Sequence, residues 1–353
     1  MKPLLGILAA ASLLASSFQL AAQEKSGLIE ASKSEKGLLI YSNLEPEFWK
    51  SALNKFGALY PWIKVETTNM GGDLWEKYYA ESSTSTRTAD LILTAGVDRW
   101  LEFAEKGQIV KYVSPESDSL PAWSKPLPGL YTASVDPIII AYNKFVVPEA
   151  NWPKSVADIA ALAPKYRGKI STYDAAANPF GLSLFWTWNK NHPDDWAKME
   201  AIGAASRPER SAGTIRDKVI SGEYALGLFL SGVNIPRLSA REMSSIVGWA
   251  FPSDGTMLSL RGLALTKAAS SPASGKLMMD FLLSRDGQIA LGELGLTPYR
   301  ADISKGDVPY YSLKAITEQV GEKNILIIDY DPQLMAARET FSRKWSTAFF
   351  PKK

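Results

Sequence analysis

The sequence predicts an α/β protein whose strands run mostly parallel, and three observations carry that reading. Leu38-Leu39-Ile40-Tyr41 is a short apolar run, followed by a helical face and then a second run from Ile63 to Thr67; strand, helix, strand is the order of a right-handed parallel crossover. Ile138 to Tyr142 is an unbroken apolar stretch, too short for a globular helix and rich in a β-branched residue, so it reads as a strand buried on both faces. Pro137 has no backbone donor and suits the first position of that strand. By itself the run fits an ordinary core strand as well as one passing between two halves. Third, strand-like and helix-like segments keep alternating to Thr266 with no repeat at a fixed period.

Composition bounds the answer. At 353 residues the chain has room for two domains or one large one, and 46% hydrophobic with 22% charged residues is a globular balance. A net charge of +2 gives no strong basic field for nucleic acid or a membrane surface to exploit. Met1 to Ala22 carries one early lysine, an apolar stretch from Leu4 to Leu14 and small residues at its end, the layout of a secretory signal peptide cleaved after Ala22. With no cysteine, disulfides, thiolate catalysis and cysteine-ligated metal are excluded. Export to the periplasm is therefore expected.

The elements follow in order. Gln23 to Lys36 is polar and reads as a frayed lead-in with one loose helical turn. After Leu38 to Tyr41, the turn Ser42 to Glu45 leads to Pro46 at a first helical position, and Phe48, Trp49, Ala52, Leu53, Phe56 and Leu59 fall on one face. Gly71-Gly72 opens a helix through Trp75 and Tyr79; Ala89 to Thr94 is a strand; Gly96 opens a helix through Trp100. Pro115 to Pro128 is irregular, Ser155 and Asp158 form a capping box, and Lys169 to Tyr173 is a strand before a turn at Asp174 to Gly181. Helices begin after His192-Pro193 and near Ser211, and Ala225 to Leu230, Gly248 to Phe251 and Arg261 to Thr266 are strands. Helices after Ser271-Pro272 and Ser284, and from Ser312 to Val320 and Pro332 to Phe349, complete the chain.

Five blocks in this order resemble the extracellular (periplasmic) solute-binding proteins of ABC transporters, family 1, in the branch of ferric-ion and sugar-phosphate binders. They are LLIYSNLEPEFWKSALNKFGALYPWIKV, TADLILTAGVDRWLEFAEKGQIV, IIIAYNK with PKSVADI and YRGKI, SGEYALGLF, and GLALTKAASSPASGKLMMDFLLSRDGQIALGELGLTPYR. The resemblance implies a two-lobe type 2 periplasmic binding protein fold, each lobe a mostly parallel sheet flanked by helices, joined by two crossover strands. Ser134 to Tyr142 matches the first crossover and Leu258 to Leu265 the return, which assigns 37–133 with 258–300 to lobe one and 134–257 with 301–353 to lobe two.

Ligands of open α/β sheets bind beyond the carboxyl ends of strands, where helix N-termini offer free amides. Here those loops are Ser42 to Glu45, Thr94 to Val97, Ala175 to Gly181 and Ser231 to Asn234. Candidate ligand residues are Ser42, Asn43, Glu45, Thr94, Ala95, Gly96, Asp136, Asn178, Ser231, Gly232, Asn234, Arg237 and Arg261, with Ser183, Asp254 and Thr256 nearby. The short polar residues equally suit helix caps, whereas the two arginines suit carboxylate or phosphate. Ferric members of the family carry paired tyrosines where this chain has Gly232-Val233, so no metal site, cofactor or catalytic residue is expected. His192, the one histidine, reads as an exposed capping turn, and the tryptophans as packing. The expectation is a monomeric receptor that captures a small organic anion by hinge closure and delivers it to a permease. A metal binder or exported enzyme on the same scaffold, or a sensor, is the alternative.

Overall fold

The computed structural model describes residues 23–70 and 73–351; the expected signal segment 1–22 and the expected helix start at Gly71-Gly72 lie outside the described residues. In chain order the elements are α1 (23–33), β1 (Leu38–Ser42), α2 (Lys50–Leu59), β2 (Val65–Asn69), α3 (Leu74–Ser83), β3 (Leu91–Thr94), α4 (Val97–Glu105) and β4 (Tyr131–Asn143). There follow α5 (Val156–Leu162), β5 (Ile170–Ser171), α6 (Pro179–Asn191), α7 (Trp196–Ala205), α8 (Ala212–Ser221), β6 (Leu226–Ser231), α9 (Ile235–Leu238), α10 (Arg241–Ser244) and β7 (Val247–Ala250). The last are β8 (Thr256–Leu265), α11 (Pro272–Leu283), α12 (Arg285–Gly292), α13 (Leu313–Val320), β9 (Ile325–Ile328) and α14 (Pro332–Phe349).

The strands are ordered β2-β1-β3-β8-β4-β6-β5, with β7 also on β4 and β9 on β8. Pairs β1–β2, β1–β3, β5–β6 and β8–β9 are parallel. Every antiparallel pair among the described residues includes β4 or β8, the two crossover strands. All thirteen residues of β4 are buried. This is the type 2 two-lobe arrangement: β4 pairs with β8 from Tyr131 to Pro137, and from Ile138 onward its partners are β6 and β7. Pro137 therefore sits mid-strand and not at its start as expected. It lies where one set of partners ends and the next begins, a place that tolerates a residue with no donor.

Each end of this sheet has its own aromatic core. Near β1 and β3, Trp75 meets Trp100 edge to face at 5.0 Å and Phe103 at 5.2 Å. Beyond β6, Phe185 meets Phe229 at 5.3 Å and Phe349 at 5.0 Å, so α14 closes the far core over α6. Phe229 takes a left-handed φ of 60° in β6 where the pairing with β4 shifts register between Ile139 and Ala141. A bulge of this kind bends a strand and re-aims the chain beyond it, here the turn at Ser231.

Several sequence expectations need correction. The lead-in is helix α1, held because Leu28 and Ile29 pack on the core and Trp62 Nε1 donates to Ser32 Oγ at 3.0 Å. The second strand begins at Val65, two residues later than expected, because Ile63 turns into the core. Strand β9 and the single-turn helices α9 and α10 are additions that the residue pattern does not predict. His192 is half-buried, stacked on Trp188 at 4.0 Å with Nε2 2.9 Å from the Asp254 carbonyl oxygen. Asp254 accepts from the Val156 and Ala157 amides, 2.9 Å each, at the start of α5, and does not line the cleft described below. Thr256 donates to the Pro252 carbonyl at 2.8 Å.

Candidate functional site

A cleft of about 630 Å³ opens where the crossover strands meet the loops of both lobes. Its floor is an ion pair between Asp136 of β4 and Arg261 of β8, each about 95% buried. Adjacent antiparallel strands place the two side chains together, Asp136 opposite Ser259 and Arg261 opposite Ser134. The same guanidinium donates to Asn43 Oδ1, tying the loop after β1 to the crossover strands. Its Nε is buried with no hydrogen-bond partner among the described residues. Tyr173 borders this floor, and burial, then the charge of Asp136, push its hydroxyl above the usual tyrosine range.

The lobe-two wall is built on the end of β6. Ser231 Oγ accepts from the Val233 amide at 3.4 Å, and Asn234 Nδ2 donates to the Ser231 carbonyl at 2.9 Å, closing a one-turn cap. Asn234 Oδ1 then accepts from Arg216 Nη1 at 3.1 Å, which fixes an arginine from α8 against the turn. Arg237 of α9 also lines the wall; it is exposed and makes no ion pair or side-chain hydrogen bond among the described residues. Ala212 and Gly213, the first two residues of α8, complete this side. Amides of a first helical turn have no acceptor within the helix, so these two small residues offer donors to an anion beside two guanidinium groups.

The lobe-one wall is different in charge. It consists of Asn43, Leu44, Glu45, Glu47, Phe48 and Ala95, with Leu294 at the edge. Glu45 and Glu47 are exposed and neither joins an ion pair among the described residues. Pro236 of lobe two meets the backbone of Gly295 so closely that a Cβ there would fall 2.1 Å from its ring. On the opposite side, Arg338 of α14 lies 3.9 Å from Asp98 of α4.

Of the residues singled out from sequence, the cleft gathers Asn43, Glu45, Ala95, Asp136, Ser231, Asn234, Arg237 and Arg261. Five others do not line it. Ser42 is buried and accepts from Trp49 Nε1 at 3.2 Å. Thr94 donates to the Ala95 carbonyl at 3.2 Å, while Gly96, with φ 132°, starts α4 behind the wall. Asn178 caps α6 through the Gly181 amide at 3.1 Å and donates to the Arg210 carbonyl at 2.9 Å. Gly232 packs on β4: a Cβ there would lie 2.5 Å from the Pro137 carbonyl oxygen. Nor does Ser183 line the cleft; its hydroxyl donates to the Phe180 carbonyl at 2.7 Å. Sequence reading missed Arg216, Tyr173, Phe180 and the first turn of α8. The available signal was Ser211, whose Oγ caps α8 through the Thr214 amide at 3.1 Å, followed by two small residues.

Among the described residues no three His, Cys, Asp or Glu side chains converge as metal ligands, and no helix is long and apolar enough to cross a membrane. Known structures share the architecture. A substrate binding protein of an ABC transporter from Agrobacterium tumefaciens matches with a TM-score of 0.75 at 22% identity, covering 90% of this chain and 95% of its own. The apo ferric ion-binding protein A of Pasteurella haemolytica gives 0.65 at 18%, covering 89% and 96%. The periplasmic binding protein AfuA from Actinobacillus pleuropneumoniae, with exogenous fructose-6-phosphate bound, gives 0.64 at 18%, covering 90% and 99%. Residues 51–316 match the bacterial extracellular solute-binding protein family, and the chain belongs to that family.

Proposed function

We propose that this protein is the periplasmic receptor of an ABC importer, a monomer that captures a small organic anion, phosphorylated or carboxylated, and delivers it to a membrane permease. The observation that carries the anion reading is the pairing of Arg216 and Arg237 with the first turn of α8 on one wall of the cleft. Guanidinium forks and free helix amides are the donors that carboxylate and phosphate oxygens accept from. The mobile bodies would be 37–133 with 258–300 and 134–257 with 301–353. An anion seated on lobe two that also touches Asn43 and Ala95 gains contacts only when the lobes close, and this difference in affinity shifts the open and closed populations. Its solute-binding family favours capture over turnover, and the donor set favours an anion over a ferric ion, because Gly232-Val233 offers no side-chain oxygen.

Titration calorimetry of the mature protein against phosphorylated and carboxylated metabolites tests this reading. Binding of one such class with micromolar affinity, lost in the double variant R216Q/R237Q, is the expected result. Ferric ion binding with no anion binding, or turnover of a bound compound on prolonged incubation, would overturn it.

A further inference from the structure

We infer that the captured anion also carries a positive charge, so that the solute is a small zwitterion with its acidic group on lobe two and an ammonium group on lobe one. This rests on the anion reading above. Three basic and three acidic side chains line the cleft: Arg216, Arg237 and Arg261 against Glu45, Glu47 and Asp136. Arg261 and Asp136 are spent on each other at the floor. On one wall stand Arg237, with no ion pair among the described residues, and Arg216, whose Nε is paired with the exposed Asp217 while its outer nitrogens face the cleft side; on the other stand two glutamates with no ion pair among the described residues. No lysine is among the lining residues, so nothing else in the cleft neutralises Glu45 and Glu47.

A simple phosphate or carboxylate drawn to the arginines closes against two uncompensated carboxylates, and like charges brought together across an interface oppose closure. With an ammonium group at its other end the solute turns that repulsion into attraction, and both walls then favour the closed form. Leu44, Phe48, Phe180 and Leu294 lie among the charged groups and suit a short hydrocarbon spacer. The volume, about 630 Å³, accommodates such a molecule and exceeds what a bare inorganic anion fills.

Calorimetry with matched probes reads the inference directly. Phosphoethanolamine is compared with ethyl phosphate, and γ-aminobutyrate with butyrate, each pair differing in the ammonium group. The ammonium member of the binding pair is expected to bind about tenfold tighter to the wild-type protein. In E45Q/E47Q, both sites being exposed, that probe weakens while its uncharged-end counterpart tightens, and the ratio falls toward one. Equal affinity of the two members, or a ratio that survives E45Q/E47Q, overturns the zwitterion while leaving the anion reading intact. Failure of all four probes to bind overturns both.

Discussion

The floor of the cleft and its lobe-two wall both present arginine, and they use it in opposite ways. Arg261 is 4% exposed, paired with Asp136 and bonded to Asn43, so its two outer nitrogens are engaged within the protein and only Nε is left without a partner among the described residues. Arg237 is exposed and unpaired among the described residues, and Arg216 shares only part of its guanidinium with Asn234 and Asp217. A buried pair is costly to break, whereas an exposed arginine is nearly free to remove from the fold. Charge type alone therefore does not mark a ligand residue. What marks it is a guanidinium that the fold leaves reachable from the cleft instead of locking it into a buried pair.

The sharpest break of this contrast is Asp136→Ala, which strands Arg261 in the interior and is expected to cost about 3 to 5 kcal/mol in urea unfolding. A loss below about 1 kcal/mol would mean that the floor is wet and the two arginines alike. Asp280 supplies an intermediate case, a half-buried carboxylate with no ion-pair partner among the described residues, held by Tyr112 Oη at 2.8 Å and Ser114 Oγ at 2.6 Å. Burial pushes its pKa from 3.8 up to about 6. The folded state thus holds this proton more tightly than the unfolded chain, so its contribution is complete below about pH 4 and disappears as pH rises through about 6. Asp280→Asn is expected to raise stability at pH 7 by about 2 kcal/mol and to flatten the stability profile across that window. Unfolding midpoints that track pH identically in both proteins would refute this.

Arg216→Gln or Arg237→Gln should each weaken anion binding about tenfold, with Arg237→Gln changing unfolding free energy by less than about 0.5 kcal/mol. The reverse pattern, lost stability with retained affinity, would move the wall into the same class as the floor. Asn178→Ala carries the smallest effect, about 1 kcal/mol from the lost cap of α6, with affinity retained. A drop in affinity would return Asn178 to the site.

Much of the fold is readable from residue patterns. β4 and β8 are legible in part, as Ile138 to Tyr142 and Arg261 to Thr266, while Tyr131 to Pro137 and Thr256 to Leu260 carry polar residues that hide them; α14 is legible to the residue because Pro332 opens it and its apolar face recurs through Phe349. β9 is hidden because four apolar residues after a tight turn look like a connector until β8 offers them an edge. The lead-in helix is hidden because its polar composition conceals Leu28 and Ile29 among charges. In the site, loops are readable and helices are not. A serine or asparagine beyond a strand either caps or binds, and Ser42 and Asn178 cap while Asn43 lines the cleft. Arg216 reaches the cleft from the second turn of a helix, and only tertiary packing reveals which face of that helix looks inward.

The proline in β4 bears on how the molecule moves. In the proposed closure a rung of the ladder at that point would have to snap as the halves swivel, and Pro137 has no hydrogen to contribute to one. In the proposed closure β4 can twist there without forfeiting a backbone bond, and only glycine fits at 232, where a Cβ would fall 2.5 Å from the Pro137 carbonyl oxygen. A side chain at 232 would wedge against Pro137 from outside the cleft lining, and so bear on the proposed closure without bordering the solute's place.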